Sequence, residues 1–175
     1  MAQAKQPSSV KLLMGAIFSG EGILIKAKQR LSRKFGPIDF QSQTVPFNFT
    51  EYYQEEMGPG LWRQFFSFHR LIAPQQLTAV KLYANKLEQR FSAAGKRRIN
   101  LDPGYICAAK LVLASCKDYA HRIYLGQGVF AEITLSFQDG AFRAQPWTYP
   151  DYQDPEHLKG FHLIRRAYLE QLRRQ

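Results

Sequence analysis

The spacing of apolar residues changes several times along the chain, and each change predicts an element. Residues 11–19, KLLMGAIFS, are apolar on both alternating sets. Such a run fits a strand buried on both faces and therefore central in a sheet. Over 21–35 the spacing becomes helical. Leu24, Ala27, Leu31 and Phe35 share one face, Lys26, Arg30, Arg33 and Lys34 the opposite one, and Gly36-Pro37 stops the run. Residues 38–49 read as extended, with Pro46 marking an edge or a strand end. EYYQEEMG at 51–58 fits a short helical turn. LWRQFFSFHRLI at 61–72 reads as another strand, but aromatics occupy both alternating sets, so its inward face stays open. Residues 74–91 form the cleanest helix, with Pro74 at a first position and Leu77, Val80, Ala84, Leu87 and Phe91 in one stripe. KRRIN then leads into extended chain. The order strand–helix–strand–strand–helix–strand is the split βαβ pattern of ferredoxin-like folds.

The remainder reads differently. Val129, Ala131, Ile133, Leu135 and Phe137 alternate strictly, which predicts a half-buried strand with Glu132 on its other face. A Gly126-Gln127-Gly128 turn precedes it and Asp139-Gly140, a strong hairpin signal, follows. Residues 121–145 are therefore expected to extend the sheet as an antiparallel meander. A closing helix is predicted over 155–173, with Phe161, Ile164, Tyr168 and Leu172 inward and Lys159, Arg166, Arg173 and Arg174 outward. Asp102-Pro103-Gly104 predicts a turn, because Pro fixes φ and Gly tolerates positive φ. ICAAKLVLAS at 106–115 fits either a buried strand or a helix capped by Asp102. The expectation is a disordered tail over 1–10 and a single α+β domain over 11–175. Its sheet is mainly antiparallel, of about six or seven strands, with helices on one face.

Composition narrows the class. A chain of 175 residues suits one domain. Two cysteines, Cys107 and Cys116, argue against a disulfide framework and fit a reducing cytoplasm. No apolar run approaches the roughly 20 residues that span a bilayer, and MAQAKQPSSV lacks the apolar region of a signal peptide. The net charge of +10, from 24 Lys+Arg against 14 Asp+Glu, attracts polyanions and makes a nucleotide or RNA the candidate partner.

Four blocks carry a resemblance. RRINLDPGY at 97–105, KLVLASCKDYAHRIYLG at 110–126, VFAEITL at 129–135 and PWTYPDY at 146–152 resemble the signature blocks of an uncharacterised bacterial domain-of-unknown-function family of about this length. KFGPIDF at 34–40 and FNFTEYYQEEMG at 47–58 fit as well. The resemblance spans nearly the whole chain and implies no activity, cofactor or catalytic residue. The chain has no G-x-x-x-x-G-K-[ST] loop, so it lacks that backbone cradle for phosphates. SGEGI at 19–23 opens a helix whose amides can hold an anion, but it also serves as an ordinary helix start.

Candidate chemistry gathers in residues 97–126. Arg98 and Asn100 alternate on one face of an extended segment, with Asp102 and Tyr105 just beyond. Lys117, Asp118, His121 and Arg122 form a second polar loop. Arg and Lys can hold a phosphate or carboxylate. Asp102, His121 and Glu132 are candidate general acids or bases. Trp147, Tyr149 and Tyr152 can stack on a base or sugar, or simply cover a core edge. A divalent cation is the candidate cofactor if Asp102, Asp118 and Glu132 converge. A structural zinc is not expected. His157 and His162 diverge on a helix, His69 and His121 are isolated, and the cysteines lack C-x-x-C spacing. Cys116 sits beside Lys117 and His121 like an activated thiol, yet reads better as a small buried structural cysteine. The same charges can instead pair: Arg98, Asp118, Arg122 and Glu132 would then satisfy one another. Three functions follow. The first is binding of a nucleotide or RNA at loops 98–122. The second is a divalent-metal-dependent phosphate-ester enzyme, and the third a scaffold or assembly factor.

Overall fold

The structure, a computed structural model, describes residues 1–174. Residues 1–9 form no helix or strand, and β1 (Val10–Phe18) begins one residue before the expected domain start. Then follow α1 (Glu21–Phe35), β2 (Ile38–Gln41), β3 (Val45–Pro46), α2 (Gln54–Met57), β4 (Trp62–Ile72), α3 (Leu77–Arg90), β5 (Ile99–Ile106) and β6 (Lys110–Ser115). The chain closes with β7 (Ile123–Gly126), β8 (Val129–Gln138), β9 (Ala141–Ala144) and α4 (Pro155–Arg173). The fold is α+β, with one 9-stranded sheet in the order β2-β4-β1-β5-β6-β8-β7; β3 pairs with β4 and β9 with β8. Every recorded pairing is antiparallel. β4 lies between β1 and β2, and β1 between β4 and β5. Each βαβ unit is thus split by one inserted strand, as the ferredoxin-like start requires.

β1 is buried along its whole length because both of its faces are covered. Leu12, Met14, Ala16 and Phe18, with Phe66 and Phe68 of β4 and Ile99 and Leu101 of β5, pack under α1 and α3. Leu13, Phe65, Ile106, Leu111 and Leu113 face the other way and pack against Phe161 and Ile164 of α4. The helices therefore cover both faces rather than one. A central strand that is apolar on both sides demands this. Asp154 starts α4 by accepting from the N–H groups of Glu156 and His157, with Pro155 at the first helical position.

Three local expectations change. Residues 106–115 are neither one strand nor a helix. β5 ends at Ile106 and β6 returns antiparallel beside it, pairing Ile106 with Leu111. Asp102-Pro103-Gly104 is not a turn but the middle of β5, in register with Gly15, Met14 and Leu13 of β1. Pairing with β6 starts only at Gly104, so the missing N–H of Pro103 leaves no bond to β6 unmade. Gly104 is needed for close approach. A Cβ there would strike the Val112 carbonyl oxygen and come within 2.7 Å of Leu113 Cδ2. Gly104→Ala is expected to destabilise the fold by about 1–3 kcal/mol through overpacking. Urea denaturation reads this, and an unchanged midpoint would show that the β5–β6 spacing yields freely.

The third change concerns β8. Leu111 pairs with Leu135 but Val112 pairs with Ile133, so Thr134 is an extra residue in β8. This bulge breaks the single apolar face. Val129 and Ala131 pack with Leu77, Val112 and Ala114 on the α3 side, whereas Leu135 and Phe137 pack on the α4 side. Glu132 shares a register with Leu113, whose face is that of α4. β8 also carries β7 and β9 at opposite ends, through Val129–Ala131 and Leu135–Gln138.

Candidate functional site

β5 alternates strictly, and this directs its polar residues. Ile99 and Leu101 face α1 and α3, so Asn100 and Asp102 face the α4 side, opposite Ile17 and Gly15 of β1. Glu132 of β8 and Arg63 of β4 reach the same side. There, beyond α4, lies a cavity of about 590 Å³. Its walls come from 47–53, 113–122 and 147–152, segments remote in sequence.

Arg63 forms the floor. Its side chain is 1% exposed, and Nη2 meets Asp151 Oδ2 at 2.8 Å while Nη1 lies 3.6 Å from Asp102 Oδ2. The guanidinium also lies 4.2 Å from the Phe65 ring centroid and 5.2 Å from that of Tyr152. Gly15 makes room for this stack, since a Cβ would sit 2.9 Å from Nη2 and 3.0 Å from the Tyr152 hydroxyl. Burial alone would push the guanidinium pKa down, but Asp151, Tyr152 and Asp102 around it hold it above the ordinary value. Asp102 also accepts from Asn100 Nδ2 at 2.7 Å and lies 3.9 Å from Lys81 Nζ. Tyr53, beside this group, has its hydroxyl pKa raised by burial and then by Asp102.

The β6–β8 wall is a second network. Glu132 is buried and accepts from Arg122 Nε at 2.8 Å and Thr134 Oγ1 at 3.2 Å, and its Oε2 lies 3.0 Å from His121 Nε2. Arg122 donates further from Nη1 to Ser115 Oγ at 2.8 Å and the Lys117 carbonyl at 2.9 Å, and from Nη2 to the Tyr149 hydroxyl at 2.8 Å. The His121 ring stacks 4.9 Å from Trp147, and Tyr119 stacks on it at 6.0 Å. Trp147 is held in turn by its indole N–H, which donates to the Ile133 carbonyl at 2.9 Å. Lys117 donates to the Tyr52 hydroxyl at 2.8 Å and lies 4.3 Å from that ring's centroid.

Of the residues singled out from sequence, Asp102, Lys117, His121, Arg122, Glu132, Trp147 and Tyr149 all line this cavity. Asn100 reaches it only through Asp102, to which its Nδ2 donates. Three others stand apart. Arg98 is exposed, and what it offers Ser19 is its backbone carbonyl. Tyr105 packs toward α3 on the opposite face. Asp118 is exposed and makes no side-chain hydrogen bond or ion pair among the described residues. The three carboxylates Asp102, Asp118 and Glu132 therefore do not converge. Among the described residues no three His, Cys, Asp or Glu side chains gather closely enough to hold a metal ion. Cys116 is exposed rather than buried, with Asn85 Nδ2 3.2 Å from its sulfur. The expected pairing of charges is partly realised: Arg122 and Glu132 do satisfy each other, without Arg98 or Asp118.

Sequence reasoning missed Arg63, Asp151 and Lys81. The available signal was an arginine inside an aromatic-rich strand, which when buried must find a carboxylate. Its partner Asp151 arrives from the segment before α4, which no local pattern could indicate. These features define a ferredoxin-like α+β domain, its sheet extended on the β5 side, with an aromatic-walled cavity beside the closing helix. The chain belongs to the domain-of-unknown-function family DUF4416, whose model matches residues 8–168. No curated protein and no solved structure matches it. Among the described residues no helix is long and apolar enough to cross a membrane.

Proposed function

We propose that the protein binds a small anionic ligand bearing a planar ring, of the nucleotide class, in the aromatic-walled cavity. Ligand pockets typically measure about 300–1,000 Å³ and are lined mainly by apolar and aromatic side chains with a few fixed polar groups. The cavity of about 590 Å³ has these properties, with Tyr52, Trp147 and Tyr149 partly exposed on its walls. Lys117 carries the reading. The lining cations Arg63 and Arg122 are held by Asp151 and Glu132, whereas Lys117 has no carboxylate partner among the described residues and rests on a tyrosine hydroxyl. The site therefore offers one uncompensated positive charge beside stacking surfaces. The net charge of +10 supports capture of an anion from a distance. A reducing compartment, the cytoplasm, suits the free Cys107 and Cys116.

The test is calorimetric titration with UMP and AMP. Saturable binding is expected, weakened about tenfold or more in Lys117→Gln, since a hydrogen bond to a charged group contributes about 1.5–3 kcal/mol. Equal affinities in the two proteins would remove Lys117 from the site. The metal-dependent phosphate-ester reading gains no comparable support, because its carboxylates do not meet.

A further inference from the structure

Beside the aromatic cavity lies a second one of about 310 Å³. The two share a wall made of Tyr52, Tyr53, Asp102, Ser115, Lys117 and Tyr149. The far side of this annex is α3, whose Lys81, Asn85, Glu88 and Gln89 recur at helical spacing and all face it. Two of them, Lys81 and Glu88, are buried on a helix whose other buried residues are mostly apolar.

The charges in the annex are already committed. Lys81 donates to the Leu101 carbonyl at 3.0 Å. Glu88 accepts from the Leu101 N–H at 2.7 Å and from Arg97 at 3.1 Å. Arg97 also donates to Glu56 and Asn100. Free hydrogen-bonding capacity belongs instead to neutral amides. Gln89 makes no side-chain hydrogen bond among the described residues, and Asn85 engages only the sulfur of Cys116, a weak acceptor. Amides both donate and accept, and so do hydroxyl groups. The annex is thus suited to a hydroxyl-rich, uncharged group, whereas the neighbouring cavity is suited to a ring. Between them stands one unpaired cation, Lys117, whose contact with Tyr52 forms part of the partition.

From this order of chambers we infer that the ligand is a phosphodiester: a ring-bearing half in the aromatic cavity, a hydroxyl-bearing half in the annex, and the singly charged diester at Lys117. A phosphodiester carries one negative charge, which matches the single unpaired cation, whereas a terminal phosphate would bring nearly two. The inference rests on the ligand reading of the cavity proposed above.

Dinucleoside monophosphates test it. UpU and ApA are titrated beside UMP, AMP and uridine into the wild-type chain, Asn85→Leu and Gln89→Ala. UpU or ApA is expected to bind about tenfold or more tightly than its mononucleotide. Each annex variant should remove most of that gain and leave the mononucleotide affinity unchanged. Gln89 is exposed, so Gln89→Ala keeps the test open if Asn85→Leu folds poorly. Mononucleotides that bind as tightly as the diesters, or a gain that survives both variants, would overturn the annex and leave the cavity reading standing. Absence of binding by every probe would overturn both.

Discussion

Arg63→Met is expected to destabilise the fold by about 3–5 kcal/mol, as follows when one partner of a buried ion pair is removed. The guanidinium is 1% exposed, and Asp151, which it pairs at 2.8 Å, is itself buried. Methionine can replace the packing against Phe65 and Tyr152 but cannot neutralise Asp151. Urea denaturation measures this, and Arg63→Met combined with Asp151→Asn should recover part of the loss. A deficit under about 1 kcal/mol would mean that the floor of the cavity is not held by this pair.

Glu132→Gln should cost a similar amount, about 3–5 kcal/mol, for the mirror-image reason. It strips the carboxylate from Arg122, whose side chain is 2% exposed, and takes away the group that anchors His121. Burial pushes the Arg122 pKa down, and Glu132 and Tyr149 together more than offset this in the native wall, holding it above its ordinary value. The loss should spread beyond stability. His121 stacks on Trp147, and Arg122 holds the Tyr149 hydroxyl, so the aromatic wall should loosen with them. Near-ultraviolet circular dichroism under native conditions should show weakened aromatic signals in the variant. An unchanged spectrum together with unchanged stability would show that the wall stands without Glu132.

The same contacts explain what a reader of the chain can and cannot foresee. α1, α3 and α4 are legible because each carries a helical apolar stripe that packs as its period implies. β1 is legible as a central strand because both of its residue sets are apolar. The bulge at Thr134 is not, since residues on either side of it are apolar and alternate correctly within each half. Asp102-Pro103-Gly104 is misread for a related reason. Pro and Gly signal turns, yet here one tolerates an unpaired strand side and the other admits a neighbouring carbonyl. His121, Arg122 and Glu132 meet because β7 and β8 form a local hairpin, so their gathering was within reach of sequence. Arg63 and Asp151 meet only through tertiary packing, and the annex on α3 lies behind a stripe of polar residues that reads as solvent-facing.

The ligand reading of the cavity is tested most directly by the indole N–H resonances of the two tryptophans during a UMP titration. Trp147 lines the cavity and Trp62, at the start of β4, does not. The Trp147 signal should shift saturably while that of Trp62 stays in place, and the shift should weaken in Lys117→Gln. Two signals that stay fixed up to millimolar UMP, or that drift together without saturating, would contradict a ligand site at this wall.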